Sequence, residues 1–262
     1  MIQPILKLGH GLSFPTYLLV ISATFCVCLF WLRARTRLYK MSVPDGIDIA
    51  LALMVGGFVG ARLMHILYEF PDYYIEDPMA VFRFWQGGFV FYGGALGGFF
   101  SALAVIRIKK MDFYAWAEVY APIAPLGYAL GLLACFFNGC CYGHKCDLPW
   151  AMQFPLVDGL RHPTQLYATG LELVLFGIVL GLSKMRLKGQ LTGKTKAWLE
   201  PSGQLLFLWI MGHSINRIIM ESFRDDFRGS DLFGLSVSTW ISIALFFSAS
   251  TILLKRKREW VL

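Results

Sequence analysis

The sequence predicts an all-α integral membrane protein of about seven transmembrane helices, and three observations support this fold class. Hydrophobic residues make up 56% of the 262 residues and charged residues only 16%, whereas soluble domains are about 25% charged. The mean hydropathy is +0.56. The apolar residues are gathered in runs near the ~20 residues that a helix needs to cross a bilayer. This composition excludes a disordered chain and argues against a soluble enzyme.

Each apolar run is interpreted as a membrane helix, because only helices and closed barrels satisfy the backbone in hydrocarbon, and continuous apolar runs indicate helices. The fourth and sixth runs contain polar and small residues and are the weakest of the series. No repeat, linker or change of composition divides the chain, so residues 1–262 are expected to form a single polytopic membrane domain. The runs lie near 14–32, 46–68, 88–106, 113–136, 164–183, 203–222 and 235–254.

The basic residues predict the orientation of these helices. Most of the 24 Lys and Arg follow the first, third, fifth and seventh runs, which all end on one side if there are seven spans. The positive-inside rule then places the N-terminus outside and the C-terminus in the cytoplasm. The net charge of +7 is therefore a topology signal, and nucleic acid is not expected as a partner.

Charged residues inside the runs are the first candidates for function. Arg62 lies in the second run, and Arg217 lies deep in the sixth run with Glu221 one turn later. A charge in a span costs at least ~2.5–3.5 kcal/mol on insertion scales, so it usually has a partner or faces a polar cavity. The i, i+4 spacing puts Arg217 and Glu221 on one helix face. With His213 and Asn216 nearby, Arg217 favours an outer polar cavity, whereas Arg62 fits a structural ion pair equally well.

A glycine-rich aromatic segment, residues 85–94, precedes the third run and contains Tyr92, Gly93 and Gly94. Glycines allow a backbone to approach a ligand or another helix closely. Residue types alone favour tight helix packing with an interfacial aromatic belt.

Cysteines are concentrated after the fourth run, around Asn138 and Gly139. Four of the six lie there: Cys135, Cys140, Cys141 and Cys146. In an oxidising compartment they could form disulfides, and a reactive thiol is a second reading. The spacing lacks the C-x2-C knuckles of zinc sites and His144 is the one nearby imidazole, so no metal is expected. A structural role is favoured.

The segment from Arg161 to Tyr167 opens the fifth run. Pro163 near the first helical position indicates a helix start. Capping does not readily explain His162, Gln165 and Tyr167, which we expect to point at the outer interface.

Taken together, these features resemble the prolipoprotein diacylglyceryl transferase family along nearly the whole chain. The HPTQLY string and the stretch 217–224 are specific in combination, whereas the glycine-rich pieces alone are not. Members of that family have seven spans with the N-terminus outside, in agreement with the charge pattern. The matching segments are Pro15-Thr16-Tyr17, Gly60-Ala61-Arg62-Leu63, residues 85–94, Asn138-Gly139, His162 to Tyr167, Arg217 with Glu221 to Arg224, and Leu235-Ser236.

The resemblance implies a lipid transferase of the bacterial cytoplasmic (inner) membrane with its active site on the outer-leaflet side. Such an enzyme moves the diacylglyceryl group of phosphatidylglycerol onto the lipobox cysteine thiol of a prolipoprotein, with no cofactor or metal. The expected catalytic residues are Arg217, Tyr92 and Glu221. The expected substrate-binding residues are Tyr17, Arg62, Gly93, Gly94, Asn138, Gly139, Arg161, His162, Gln165, Tyr167 and Arg224.

Some residues depart from the family pattern. Tyr92 stands where members typically have a histidine, and Leu132, Cys135 and Cys140 replace an arginine, an asparagine and a glutamate. The GCCYG segment and the tyrosine mark a divergent subgroup. The alternatives are a paralogue with another acceptor, a membrane thiol enzyme that uses Cys140 or Cys141, and a non-catalytic lipid-binding or assembly protein on the same scaffold.

Overall fold

A computed structural model describes residues 5–8, 12–84, 87–155, 157–225 and 233–261. It confirms the predicted all-α class. The helices are α1 (Thr16–Leu38), α2 (Val43–Met64, prolonged by a π-helical turn His65–Glu69), α3 (Pro71–Glu76), α4 (Phe91–Ile108), α5 (Phe113–Tyr120), α6 (Ile123–Asn138), α7 (Thr164–Leu187), α8 (Gly193–Leu199), α9 (Gln204–Glu221) and α10 (Val237–Val261). A 3-10 turn covers Pro78–Phe82, and two short antiparallel hairpins pair β1 (Ile5–Leu8) with β2 (Leu12–Pro15) and β3 (Met152–Gln153) with β4 (Leu160–Arg161).

Each predicted run coincides with one helix or, for the fourth run, with two, but within the described residues length and composition identify fewer than seven candidate spans. Five helices of the described chain are long and apolar enough to cross a membrane: Thr16–Leu38, Val43–Glu69, Phe91–Ile108, Thr164–Leu187 and Val237–Arg256. A sixth arises if α5 and α6, bent by 47°, form one span. The chain is therefore a multi-pass membrane protein, and the seventh span and the sides of the termini stay predictions.

The two exceptions are the runs that looked weakest in the sequence. Pro122 follows the end of α5 and precedes the first residue of α6, where its missing N–H and fixed φ interrupt a continuous helix. Helix α9 carries His213, Asn216, Arg217 and Glu221. These polar groups lower its hydropathy below that of a purely lipid-facing helix. They occur together because a charge inside a span needs neighbours that can pair with it.

Contacts divide the chain into two compact units, residues 32–116 and residues 1–31 with 117–262. The single polytopic domain expected from composition stays a prediction. In the larger unit, α6 packs on α7, α7 on α9 and α9 on α10. Buried Glu118 forms a 2.9 Å ion pair with Arg186 and accepts a 2.9 Å hydrogen bond from the N–H of Gly203, the residue that precedes α9. This contact fixes where α9 begins.

The smaller unit is organised by close contact between α2 and α4. A Cβ atom added at Gly60 would lie 2.8 Å from Gly97 Cα, and one added at Gly97 would lie 2.9 Å from Gly60 Cα. Gly56–Gly60 and Gly93–Gly97 are both glycine pairs four residues apart, the spacing that lets two membrane helices approach through their backbones. The packing interpretation of these glycines is confirmed.

Replacing Gly60 by alanine is expected to destabilise this helix pair by about 1–3 kcal/mol, because the new methyl group overpacks a filled interface. Thermal unfolding of the detergent-purified protein measures the effect. Gly57→Ala is the matched control on the same helix, since its Cβ would lie 3.5 Å from the Gly94 carbonyl oxygen, an ordinary contact. Equal melting temperatures for the two variants would contradict the prediction.

Candidate functional site

Arg217 lies in the second-last turn of α9 and is largely buried. Its Nη2 donates a 2.5 Å hydrogen bond to the hydroxyl oxygen of Ser238, in the first turn of α10, and lies 3.6 Å from Oε2 of Glu221. The side chains of Arg217 and Glu221 are 13% and 18% exposed. The predicted i, i+4 pair therefore forms, and it holds a guanidinium in a setting that little water reaches.

A second buried polar cluster centres on Glu172, which sequence reasoning missed. This carboxylate is 0% exposed in the middle of α7. Its Oε1 lies 2.6 Å from His213 Nδ1 and accepts a 2.9 Å hydrogen bond from Asn216, while its Oε2 accepts a 3.0 Å bond from the Trp209 indole. The available signal was that Glu172 is the one charged residue in the fifth run, and a lone charge in a span marks a site with partners.

The turn before α7 is held by the ion pair of Arg161 with Asp225. Arg161 also donates a 3.3 Å bond to the Gly143 carbonyl, and its guanidinium stacks over the Tyr142 ring at 5.0 Å. The hydrogen bond from Arg161, with His144 on the other side, lowers the pKa of Asp225. Arg161 thus has an anionic partner, and its predicted phosphate contact stays a prediction.

Side chains at the start of α7 differ in their exposure. Contrary to the expectation that Gln165 points at the interface, it is 1% exposed and its amide donates a 2.5 Å bond to the Cys140 carbonyl. His162 and Tyr167 are partly exposed and do pair, with His162 Nδ1 3.2 Å from the Tyr167 hydroxyl, which also accepts a 2.7 Å bond from Trp150. Trp150, Leu166 and Tyr167 help to line an open, mostly apolar groove of about 670 Å³.

Three of the four clustered cysteines come together in space. The Sγ atoms of Cys135, Cys140 and Cys141 all lie within 4.8 Å of one another, and Cys146 is not part of this group. None of the six cysteines, all of which the structure describes, forms a disulfide. Hydrogen bonds from the Cys135 and Cys140 thiols, together with the Arg224 guanidinium, hold the pKa of Cys141 well below its usual range. The prediction that no metal binds here was based on the spacing of the cysteines along the chain. The fold brings three of them closer together in space than that spacing suggested.

The remaining predicted residues of the larger unit surround these thiols. Tyr17, in the first turn of α1, lies close enough to all three cysteines to interact with them electrostatically. Asn138 is the exposed last residue of α6, and Gly139 caps the helix in the left-handed conformation, at φ +75°, where glycine is the usual choice. The structure therefore brings Tyr17, Asn138, Gly139 and Arg224 to the cysteine cluster.

In the smaller unit, Arg62 holds the chain that leads into α4. Four of its N–H groups donate to backbone carbonyls, namely those of Ala80 at 2.6 Å, Gly87 at 2.5 Å, Gly88 at 3.2 Å and Val81 at 3.3 Å. This geometry favours the structural interpretation of Arg62, although its partners are carbonyls and not the acid of an ion pair. Its phosphate contact stays a prediction.

The glycine-rich segment that Arg62 holds is only partly described, because Trp85 and Gln86 lie outside the described residues. Tyr92 is the second residue of α4 and packs edge-on against Phe91, with ring centroids 5.7 Å apart. Gly93 and Gly94 follow it and face α2: a Cβ at Gly94 would lie 3.2 Å from the Gly57 carbonyl oxygen. Gly93 and Gly94 therefore serve packing here, whatever they contribute to binding.

The departure at Leu132 is accommodated by packing. Its side chain is 8% exposed in an apolar cluster with Ala168 and Met220, against which Tyr128 and Tyr167 pack. A leucine at this position fills space between α6, α7 and α9, where an arginine would need a partner. The substitution is therefore compatible with a well-packed helix bundle.

The fold and these clusters define a multi-pass helical membrane protein with buried charged groups inside its helices. A family model described as prolipoprotein diacylglyceryl transferase matches residues 3–255. The chain belongs to this family, a family of transferase enzymes, and the resemblance inferred from its motifs is confirmed.

Relatives named phosphatidylglycerol–prolipoprotein diacylglyceryl transferase support the assignment. The protein of Bordetella parapertussis is 36% identical over 211 residues, which cover 79% of this chain and 76% of the relative. That of Geobacter sulfurreducens is 36% identical over 222 residues, with 84% and 80% covered. That of Nitrosomonas europaea is 34% identical over 230 residues, with 83% and 77% covered.

Proposed function

We propose that the protein transfers the diacylglyceryl group of phosphatidylglycerol to the lipobox cysteine of a prolipoprotein. In this reaction the cysteine thiol loses its proton and its sulfur forms a thioether bond to the glyceryl carbon, while the carbon–oxygen bond to the phosphate breaks and glycerol phosphate leaves carrying the proton. The observation that carries the proposal is the family match over residues 3–255, supported by relatives whose names state both substrates. The thiol-enzyme and non-catalytic alternatives gain no support from these relatives.

Arg217 is the proposed catalytic cation. The leaving phosphate is an anion, and a fixed guanidinium in a water-poor site stabilises developing negative charge strongly. Glu221, 3.6 Å away on the same helix, and Ser238, at 2.5 Å, hold the Arg217 side chain in one orientation. Preorganisation of this kind lowers the cost of binding the phosphate in the transition state.

Tyr92 and the other predicted site residues receive supporting roles. Tyr92, Tyr17 and Gln165 are proposed to bind the headgroup or to assist removal of the thiol proton, although Gln165 is buried and its amide N–H donates to the Cys140 carbonyl. Arg62 and Arg161 each hold a segment of chain through several hydrogen bonds, so we assign them to phosphate contact only as a secondary role. The other proposed substrate-binding residues are Gly93, Gly94, Asn138, Gly139, His162, Tyr167 and Arg224.

The proposed topology has seven spans in one polytopic domain, with α9 as the sixth, the N-terminus outside and the C-terminus in the cytoplasm of the inner membrane. The distribution of Lys and Arg supports this orientation. It places the start of α7 and the end of α9 on the outer side, where a prolipoprotein presents its lipobox after export. The apolar groove beside His162 and Tyr167 suits the apolar residues of such a peptide.

A transfer assay tests the proposal directly. The detergent-purified protein is mixed with phosphatidylglycerol and a lipobox peptide, and peptide mass and glycerol phosphate release are followed together. We expect a diacylglyceryl mass gain matched by glycerol phosphate, and no gain on a control peptide whose lipobox cysteine is replaced by serine. An inactive protein beside an active family enzyme would refute the proposal and favour another acceptor or a lipid-binding role.

A further inference from the structure

We propose that Cys135, Cys140 and Cys141 form a binding site for a thiophilic closed-shell cation, Zn²⁺ or Cu⁺. Their three Sγ atoms lie within 4.8 Å of one another. Sulfur ligands about 2.3 Å from a metal lie about 3.8 Å apart in a tetrahedron and about 4.0 Å apart in a trigonal plane. A shift of each Sγ atom by less than about an ångström therefore gives the spacing of three sulfur ligands around one ion.

The backbone is shaped to turn two consecutive cysteines toward the third. Side chains of neighbouring residues in extended chain point to opposite sides, but here Gly139 ends α6 at φ +75° and Cys141 adopts φ +66°. A non-glycine residue in the left-handed region costs free energy, of order 1–3 kcal/mol, and persists only where its surroundings enforce it. This conformation brings both Sγ atoms beside Cys135, in the last turn of α6.

Hydrogen bonds from α7 hold this conformation in place. Buried Thr164 donates a 2.5 Å bond to the Cys141 carbonyl, and buried Gln165 donates a 2.5 Å bond to the Cys140 carbonyl. The side chains that fix the two carbonyls leave the two thiols available. The backbone of the turn is thus held in place before any ion binds, which lowers the entropic cost of binding.

The chemistry around the cluster favours a soft cation. All the ligand atoms are sulfur, the donor type that selects Cu⁺ and Zn²⁺ over Mg²⁺ or Ca²⁺. The nearby imidazole of His144 lies 3.2 Å from Asp225 and is not a member of the sulfur group. The Arg224 guanidinium lies near Cys141, so its positive charge offsets the single negative charge that three thiolates leave around Zn²⁺. For Cu⁺, the three-ligand set itself matches the coordination number.

The site lies beside residues that we propose to bind substrate, among them Tyr17 and Arg224, but none of its three cysteines takes part in a step of the proposed transfer. A bound ion would clip the end of α6 to the turn that α7 holds, closing a small loop between Cys135 and Cys141. Because bound metal stabilises the folded state by mass action, loading the site should raise the melting temperature. The proposal concerns metal content and stability, so it stands or falls separately from the transferase activity.

The first experiment measures metal content and coordination. The protein is purified in detergent under anaerobic conditions, and portions are loaded with Zn²⁺ or with Cu⁺ in the presence of a competing chelator of known affinity. We expect one equivalent of one of these ions, bound through sulfur at about 2.3 Å in the X-ray absorption spectrum. Binding should be lost in Cys135→Ser, Cys140→Ser and Cys141→Ser, and retained in the matched controls Cys146→Ser and Cys28→Ser.

The second experiment uses the unmodified protein, so that misfolded variants cannot leave the question open. Thiols are alkylated with and without the bound ion and located by peptide mass spectrometry. We expect protection of Cys135, Cys140 and Cys141 in the loaded protein and their alkylation after chelation. A disulfide among the three in freshly purified protein, sub-stoichiometric metal, or unchanged alkylation would each overturn the proposal.

Discussion

Replacing Arg217 by alanine is expected to lower the rate of diacylglyceryl transfer by about 10²–10³-fold, the effect typical of removing one fixed group that stabilises developing negative charge. Arg217→Lys should retain part of the activity, because it keeps the positive charge but loses the planar fork that can hold a phosphate through two hydrogen bonds. The measurement is the initial rate of glycerol phosphate release at saturating phosphatidylglycerol.

The control for this series is Arg107→Ala, which removes an exposed arginine at the end of α4 and should leave the rate unchanged. Each variant is first checked for a single species by gel filtration in detergent, since Arg217 also contacts Ser238 and Glu221. A folded Arg217→Ala protein with full activity would remove Arg217 from the mechanism and favour a different cation.

Replacing Glu172 by alanine is expected to destabilise the protein by about 3–5 kcal/mol, as breaking a buried polar pair from one side typically does. The substitution removes the carboxylate that accepts hydrogen bonds from buried Asn216 and from the partly buried side chains of His213 and Trp209. Glu172→Gln should cost less, because its carbonyl oxygen still accepts one of these bonds. The loss is read as a fall in melting temperature in detergent.

Glu76→Ala is the matched control, because Glu76 is exposed in the short helix α3 and surface substitutions usually change stability by less than about 0.5 kcal/mol. If the Glu172→Ala and Glu76→Ala variants have the same melting temperature, the Glu172 cluster does not hold α7 and α9 together. A rate loss in Glu172→Gln without a stability loss would instead give the cluster a part in the chemistry.

The helices were predictable from sequence because a chain inside a bilayer must satisfy its backbone hydrogen bonds internally, and continuous apolar runs do so as helices. The apolar runs form helices, the fourth run forming two, and the Arg217–Glu221 pair follows from spacing along one helix. The same local rules explain why α9 looked weak as a span and why the run around Pro122 is broken. Sequence reasoning succeeded for interactions between residues within about one helical turn of each other.

The Glu172 cluster and the cysteine group escaped prediction because their members come from distant parts of the chain or from an unusual backbone turn. The groups that donate hydrogen bonds to Glu172 lie on α9, 37 to 44 residues later. The cysteines come together through a left-handed backbone conformation at Cys141, which the residue type does not predict. Gln165 was expected at the interface because it lies in the first turn of α7, but its side chain is buried and donates to the Cys140 carbonyl.

The hydrogen bonds of Arg62 have a consequence for the order in which the protein is assembled. Arg62 leaves the ribosome before its acceptors in residues 80–88, so during insertion its guanidinium must be solvated by water or lipid headgroups. A charge held in hydrocarbon would cost at least ~2.5–3.5 kcal/mol. The end of α2 is therefore expected to stay at the water interface until the following segment folds over it. Helix α4 is expected to pack against α2 only after this step, so folding of the connection between α2 and α4 would precede formation of the helix pair.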